Sequence, residues 1–167
     1  FDVLVNCTGY TKVDACEEKE GANQTYAVTG VGVGFLAEAC RRTKRVLVHF
    51  STDYVFNGRK EGAYQETDNT DPVNVYGQTK LMGEKLIQEI APVFYLIRTS
   101  WVFGPNGPNF VKTIAGLLKT KTQLPVVTDQ VGGPTYTGDL AQFALELIQR
   151  KAEPGLYHFA NSGYTSW

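Results

Sequence analysis

The sequence predicts an α/β fold, a mostly parallel sheet flanked by helices. Three observations lead there. Short apolar runs of strand type alternate with longer stretches of helical periodicity, the pattern of βαβ units. The runs read as buried strands rather than half-exposed ones. Three of them lead directly into segments rich in polar and aromatic residues: Cys7–Val13, Ser51–Phe56 and Thr99–Asn109. In a parallel sheet, ligands sit beyond the carboxyl ends of the strands, so a site is expected where these segments meet.

Taken in order, Val3 to Val5 form the first short strand, and Asn6 to Thr11 its loop. Val28, Val31, Phe35, Leu36 and Ala39 recur at helical spacing, and Arg41 and Arg42 suit that helix's negative C-terminal end. Val46 to Phe50 form the second strand, running into Ser51 and Thr52. Residues 57–73 are rich in Gly, Asp, Glu, Asn and Pro and predict a long loop. Leu81, Leu86 and Ile90 carry a second helix, and Val93 to Ile97 a third strand. A third helix is expected over about 109–119, with a candidate strand in "LPVV" at 124–127. Thr137 suits the N-cap of a fourth helix bearing Leu140, Phe143, Ala144, Leu147 and Ile148. "LYHFA" at 156–160 is the last strand, and no repeat or linker divides the chain.

At 167 residues the chain can bury one core, and 43% apolar against 20% charged residues marks it as globular. A net charge of -1 without a block of like charges argues against a nucleic-acid or membrane-surface partner. No apolar run approaches the ~20 residues of a membrane span. Cys7, Cys16 and Cys40 make neither a disulfide framework nor a metal spacing; small buried hydrophobes in a cytoplasmic protein are expected. His49 and His158 lie within strands, where packing is the expected role. The chain opens at "FDVLVN", already strand-like, and closes at "NSGYTSW", where Thr165 or Ser166 could cap a helix that does not follow. It reads as a piece of a longer protein, cut at both ends.

"TGVGVGF" contains Gly30, Gly32 and Gly34 but has Phe35 where a dinucleotide-binding turn needs its last glycine. The glycines sit inside a helical pattern with no strand before them. Close approach of that helix to the sheet is the expected reason for them.

The chemistry is expected elsewhere, in "NVYGQTK". Tyr76 and Lys80 stand one helical turn apart and share a face. A free phenol has a pKa near ~10, and a nearby ammonium favours its anion. A phenol tuned in this way can act as general acid toward a carbonyl oxygen. A tyrosine and a lysine at this spacing are common, and a helix start with two amphipathic residues explains them equally well. Thr52 adds a hydroxyl at a strand's carboxyl end, where it can bond a substrate oxygen or close an ordinary turn.

The stretches "STDYVF", "YQETD", "P-x-NVYG-x-TK", "GEK", "RTSWVFG", "NF-x-KT", "DQ-x-G-x-PT" and "LYH…SG-x-TSW" occur in that order over about residues 2–167. In them the chain resembles the extended short-chain dehydrogenase/reductase superfamily and, within it, the dTDP-4-dehydrorhamnose reductases. The resemblance implies a Rossmann-like domain over residues 1–167, incomplete at its N-terminus, with substrate-binding segments at about 101–136 and 154–167. It implies that Tyr76 protonates the C4 keto oxygen while NADPH or NADH delivers hydride. It gives Lys80 the nicotinamide ribose and Thr52 the substrate carbonyl. Asp53, Tyr54 and Trp101 would contact the deoxysugar. Thr8, Gly9, Tyr10, Thr11 and Phe50 would lie along the cofactor, with Asn109 to Lys112 and Gln130 to Thr135 on the nucleotide side. A divalent ion such as Mg2+ at a subunit contact, in a monomer or homodimer, is implied by the family alone.

Two departures stand out. The family's "NAAA-x-T" loop reads "NCTGYT" here, and the Asn expected to begin the following helix is Thr29, which weakens one support. The family's glycine-rich turn would lie upstream of Phe1, so the isolated chain is expected to bind cofactor poorly. Two other readings compete. An epimerase or dehydratase would keep the fold, but a dehydratase is expected to carry an Asp-Glu pair where Asp53 and Tyr54 stand. A regulatory module like the subunit of methionine adenosyltransferase would keep the family likeness without sugar reduction; "RTSWVFG" with its tryptophan favours the enzyme.

Overall fold

The computed structural model describes residues 1–167. Its sheet has four strands, β1 (Val3–Asn6), β2 (Val46–Thr52), β3 (Phe94–Thr99) and β7 (Gly155–His158), in the order β1-β2-β3-β7. All three pairings are parallel, with Asn6 beside His49, Thr52 beside Thr99 and Arg98 beside His158. The strands' carboxyl ends therefore line one edge, and the three polar segments leave the sheet together. β2 and β3 each run two residues past the apolar stretch. Ser51 pairs with Arg98 and Thr52 with Thr99, so hydroxyl and guanidinium side chains are carried into the sheet's edge.

Alternate residues of each strand feed opposite layers. On one face Leu47 and Leu96 pack with Val33, Ala37, Cys40 and Ile87 from α2 (Gly32–Thr43) and α3 (Val75–Ile90). On the other, Val48, Tyr95 and Ile97 pack with Leu140, Ala144 and Leu147 of α5 (Thr137–Gln149). Burying a Leu or Ile contributes about 1.5–3 kcal/mol, so this double-sided core is what holds the sheet edge in register. No helix is long and apolar enough to cross a membrane.

The helical pattern before β2 is longer than predicted. α1 (Lys19–Thr25) passes through a π-helical turn, Tyr26–Val31, straight into α2. The glycines there serve a different approach from the one expected. A Cβ on Gly30 would meet Met82 Sδ at 3.0 Å, and one on Gly34 would meet Leu86 Cδ1 at 3.0 Å. They admit α3, not the sheet; its own Gly83 reciprocates, with Thr29 O 2.7 Å from where a Cβ would be.

Several other expectations change. "LPVV" is not a strand: no neighbouring edge pairs with it, and Val126 and Val127 are exposed. Short pairs occur nearby instead, β4 (Val102–Phe103) with β6 (Thr135–Tyr136) and β5 (Val131–Gly132) with β8 (Thr165–Ser166). Thr165 and Ser166 thus pair as a strand. The third helix, α4, spans Phe110–Leu117, with the Asn109 side chain accepting from Lys112 N. Thr137 is the first residue of α5 and supplies no side-chain cap. Cys16 and Cys40 are buried, but Cys7 lies just past β1, beyond the core's reach, and is exposed.

Candidate active site

The start of α3 is fixed before its side chains are placed. The Asn74 carboxamide accepts from Gly77 N at 2.7 Å, and Glu17 accepts from Val75 N at 2.9 Å. Thr79 ties the first turn to α1 through Thr25, at 3.1 Å between hydroxyls. Gly77 lets this turn lie against the segment after β2: a Cβ there would sit 2.2 Å from Tyr54 O. Tyr76 is therefore held over Thr52–Tyr54, and its ring meets the Tyr54 ring edge-on at 5.6 Å.

Thr52 is buried at the end of β2. Its hydroxyl donates to Asp53 at 3.1 Å and accepts from Tyr54 N at 3.2 Å, which is the turn geometry weighed in the sequence. Burial, above all, pushes the Tyr76 phenol up to about 12; the Asp53 and Tyr54 charges add to this, and the Thr52 hydroxyl opposes it. Burial likewise raises the Asp53 carboxyl and the Tyr54 phenol. The expected lowering of Tyr76 by Lys80 is not met in this structure. The Lys80 amine is itself buried and donates to Phe50 O at 2.6 Å. Burial brings it down to about 8, against the pull of the Glu84 carboxylate. At neutral pH the pair is thus a protonated phenol and an ammonium with two further N–H donors. The phenol holds its proton more tightly than a free one, so it gives it up only to an oxygen on which strong negative charge develops.

The loop after β1 is built around Asn6. Its carboxamide nitrogen meets His49 Nδ1 at 2.9 Å, and its oxygen accepts from Thr8 N at 3.0 Å and Thr8 Oγ1 at 2.6 Å. Tyr10 N donates to Thr29 Oγ1 at 3.1 Å. Thr29 thus fastens this loop to the helix through its hydroxyl. Thr8, Gly9 and Thr11 remain exposed along the same sheet edge.

Trp101 lies two residues past Thr99, at that edge, with φ 45°. Its ring stacks on Trp167 at 3.7 Å and closes over Gly132; Phe110 packs on Trp167 at 4.3 Å. These rings, with Val111 and Pro134, line a cavity of about 300 Å³. The two segments expected to meet substrate thus converge here. The Trp101 ring packs on Trp167 and Gly132 rather than on Tyr54 or Tyr76. Asn109 and Lys112 hold the 104–107 turn, and Gln130 accepts from the Trp167 indole.

Sequence reasoning passed over Glu84. It is fully buried, accepts from Ser51 Oγ at 2.5 Å and is gripped by Arg98, Nη2 to Oε2 at 2.7 Å and Nε to Oε1 at 3.0 Å. The available signal was its spacing: Tyr76, Lys80 and Glu84 recur every four residues on one helix face. No group of three or more His, Cys, Asp or Glu side chains is placed to hold a metal ion.

A parallel α/β sheet whose carboxyl edge gathers a threonine, a tyrosine and a lysine four residues later defines the class of the extended short-chain dehydrogenases/reductases. Comparison with known proteins narrows this. The chain belongs to the RmlD substrate binding domain family, whose pattern matches residues 1–167. It is 44% identical over 166 residues to the spore coat polysaccharide biosynthesis protein SpsK of Bacillus subtilis, covering 99% of this chain and 57% of that protein. It is 42% identical over 171 residues to dTDP-4-dehydrorhamnose reductase of Aggregatibacter actinomycetemcomitans, covering 99% of this chain and 58% of the relative. The structure superimposes on the dTDP-4-dehydrorhamnose reductase of Bacillus anthracis, solved in complex with NADP, at a TM-score of 0.94 and 38% identity, over 99% of this chain and 58% of that one. The chain thus spans somewhat more than half the length of these relatives.

Proposed function

We propose that the protein containing this chain reduces the C4 keto group of dTDP-4-dehydrorhamnose to the hydroxyl of dTDP-L-rhamnose, with NADPH or NADH as reductant. One observation carries the reading. A half-buried, protonated Tyr76 phenol lies beside Thr52 at the sheet's carboxyl edge, with the buried Lys80 ammonium on the same helix face. The donor set fits a dihydronicotinamide nucleotide: two Lys80 N–H groups and the exposed Thr8–Thr11 loop border the same edge, where a ribose diol could lie. When bound, that cofactor supplies the hydride.

The chain's own residues supply the rest. Tyr76 gives its proton to the keto oxygen, which becomes the new hydroxyl. Lys80 holds the ribose and steadies the phenolate left behind. The Thr52 hydroxyl turns from Asp53 to the substrate oxygen and aligns it. Asp53, Tyr54 and Trp101 bind the deoxysugar, and the Trp101–Trp167 cavity takes the nucleotide side. Phe50 contributes its carbonyl, which fixes the Lys80 amine. Relatives at 39–44% identity that are named as reductases or polysaccharide-biosynthesis proteins support this substrate class over a regulatory role. Such a nucleotide-sugar reductase is expected in the cytoplasm.

The test is direct. The whole protein, given dTDP-4-dehydrorhamnose and NADPH, should consume the dihydronicotinamide absorbance with stoichiometric formation of dTDP-L-rhamnose. No consumption would overturn the assignment.

A further inference from the structure

We infer that His49 is a positioning residue for the loop after β1: its Nδ1 fixes the orientation of the Asn6 carboxamide, which holds Thr8 so that the Thr8 hydroxyl meets the cofactor as an acceptor. The inference rests on the reading above, in which the Thr8–Thr11 loop borders a dinucleotide.

The register of the sheet brings the two side chains together. Asn6 ends β1 directly beside His49 of β2, so they share a face of the sheet. Both are buried, with exposures of 3% and 1%. The Asn6 carboxamide is oriented from the loop side, where its oxygen accepts from Thr8 N at 3.0 Å. Its nitrogen therefore turns to His49 Nδ1, 2.9 Å away. An amide nitrogen only donates, so Nδ1 is the acceptor and the ring proton sits on Nε2.

Packing does not account for a histidine here. Its Nε2–H is buried without a hydrogen-bond partner in the chain, which is destabilising. Leu47 and Leu96, its neighbours on the same face, carry no such cost. What the imidazole adds is the Nδ1 lone pair, aimed at Asn6.

The consequence reaches the loop surface. The Thr8 hydroxyl donates its one proton to Asn6 Oδ1 at 2.6 Å, so it has only lone pairs left for a ligand. Thr8 is exposed at the sheet edge. It is thus set to accept from a donor group of the dinucleotide, such as a ribose hydroxyl. With the Asn6 carboxamide reversed, its N–H2 would face Thr8 N, and both Thr8 bonds to its oxygen would be lost. Tyr10 N, held by Thr29 Oγ1 at 3.1 Å, pins the far side of the loop to the helix, so Thr8 is the point held from the sheet.

His49→Leu and His49→Asn in the whole protein test the inference. Leucine removes the acceptor, whereas the asparagine Oδ1 stands about where Nδ1 does and restores it. NADPH affinity, read by fluorescence titration without substrate, should fall about ten-fold in His49→Leu, the effect of one ordinary hydrogen bond, and stay within about threefold of the parent in His49→Asn. The loss should appear in the KM for NADPH far more than in kcat. Hydrogen exchange at Thr8 N, followed without any ligand, should quicken about ten-fold in His49→Leu and hardly at all in His49→Asn. Where His49→Leu does not fold, Thr8→Val takes its place: losing the hydroxyl of an exposed residue should lower NADPH affinity by the same factor. Nitrogen-15 NMR of the parent imidazole should show the proton on Nε2. The exchange and imidazole readouts need no sugar reduction, so inactivity on dTDP-4-dehydrorhamnose would sink the proposed function alone. Unchanged NADPH affinity in His49→Leu or Thr8→Val, a His49→Asn variant as impaired as His49→Leu, or a proton on Nδ1 would each overturn the inference.

Discussion

Gly77→Ala perturbs the site at its narrowest point. The residue follows Tyr76, and an added Cβ would lie 2.2 Å from Tyr54 O and 3.0 Å from Pro72 Cβ. Contacts under 3.0 Å are essentially never tolerated, so the helix start and the Thr52 segment must part by about 0.8 Å. Neither side yields easily. Gly77 N is bound by Asn74, Tyr54 N by Thr52, Phe56 N by Asp53 O at 3.0 Å and Asp71 N by Val55 O at 2.9 Å. A misplacement on the order of 1 Å in a reacting constellation costs about 100-fold, or roughly 3 kcal/mol of barrier. Alanine's better helix propensity returns about 1 kcal/mol, while overpacking costs about 1–3 kcal/mol, so stability should fall slightly. The assay is steady-state oxidation of NADPH by the whole protein, with thermal unfolding in parallel. kcat should drop about 100-fold in a folded protein. A kcat within about threefold of the parent would refute the argument that this glycine sets the Tyr76–Thr52 approach. Gly116→Ala, in α4 with nothing within 4 Å of the new Cβ, should instead raise the unfolding temperature, since Ala gains about 1 kcal/mol over Gly in a helix.

The remaining expectations follow from the buried charges. Lys80→Met should cut kcat at least about 100-fold while leaving the unfolding temperature equal or higher, because it relieves a buried ammonium; a large loss of stability would contradict that. His49 is neutral in the folded protein, pushed down to about 3, but takes a proton near 6.5 when unfolded. Its contribution to stability is full above 6.5 and is lost as pH falls from there toward 3, by about 1 kcal/mol per pH unit. Urea unfolding of His49→Gln should show a correspondingly flatter acid slope, and an unchanged slope would contradict it. Thr29→Val removes the acceptor for Tyr10 N and should cost about 1–3 kcal/mol. It should also weaken NADPH binding in a fluorescence titration, and unchanged affinity would count against the loop's role.

What the sequence revealed was governed by local pattern. Val46–Phe50 reads as a buried strand because each residue meets a helix layer on one face or the other. Tyr76 and Lys80 share a face because helical geometry requires it, and Thr52 reaches the edge because its strand ends there. What stayed hidden depends on distant partners. Glu84 looks like any exposed helix glutamate until Arg98, fourteen positions on, turns out to face it. Gly30 and Gly34 suggest a helix against the sheet, whereas their neighbours are Met82 and Leu86 of another helix. "LPVV" has strand composition, but composition cannot supply an edge to pair with. Thr29 gives no sign in the sequence of holding the first loop, because the N–H it accepts, that of Tyr10, lies 19 positions away.

The most direct measurement is the turnover of Tyr76→Phe in the whole protein, with substrate and NADPH saturating. Removing one hydroxyl from a ring already packed against Tyr54 should leave the fold intact and lower kcat by about 100- to 10,000-fold, the usual contribution of a general acid. A Tyr76→Phe variant that turns over within a few-fold of its parent would contradict the claim that this phenol protonates the ketone.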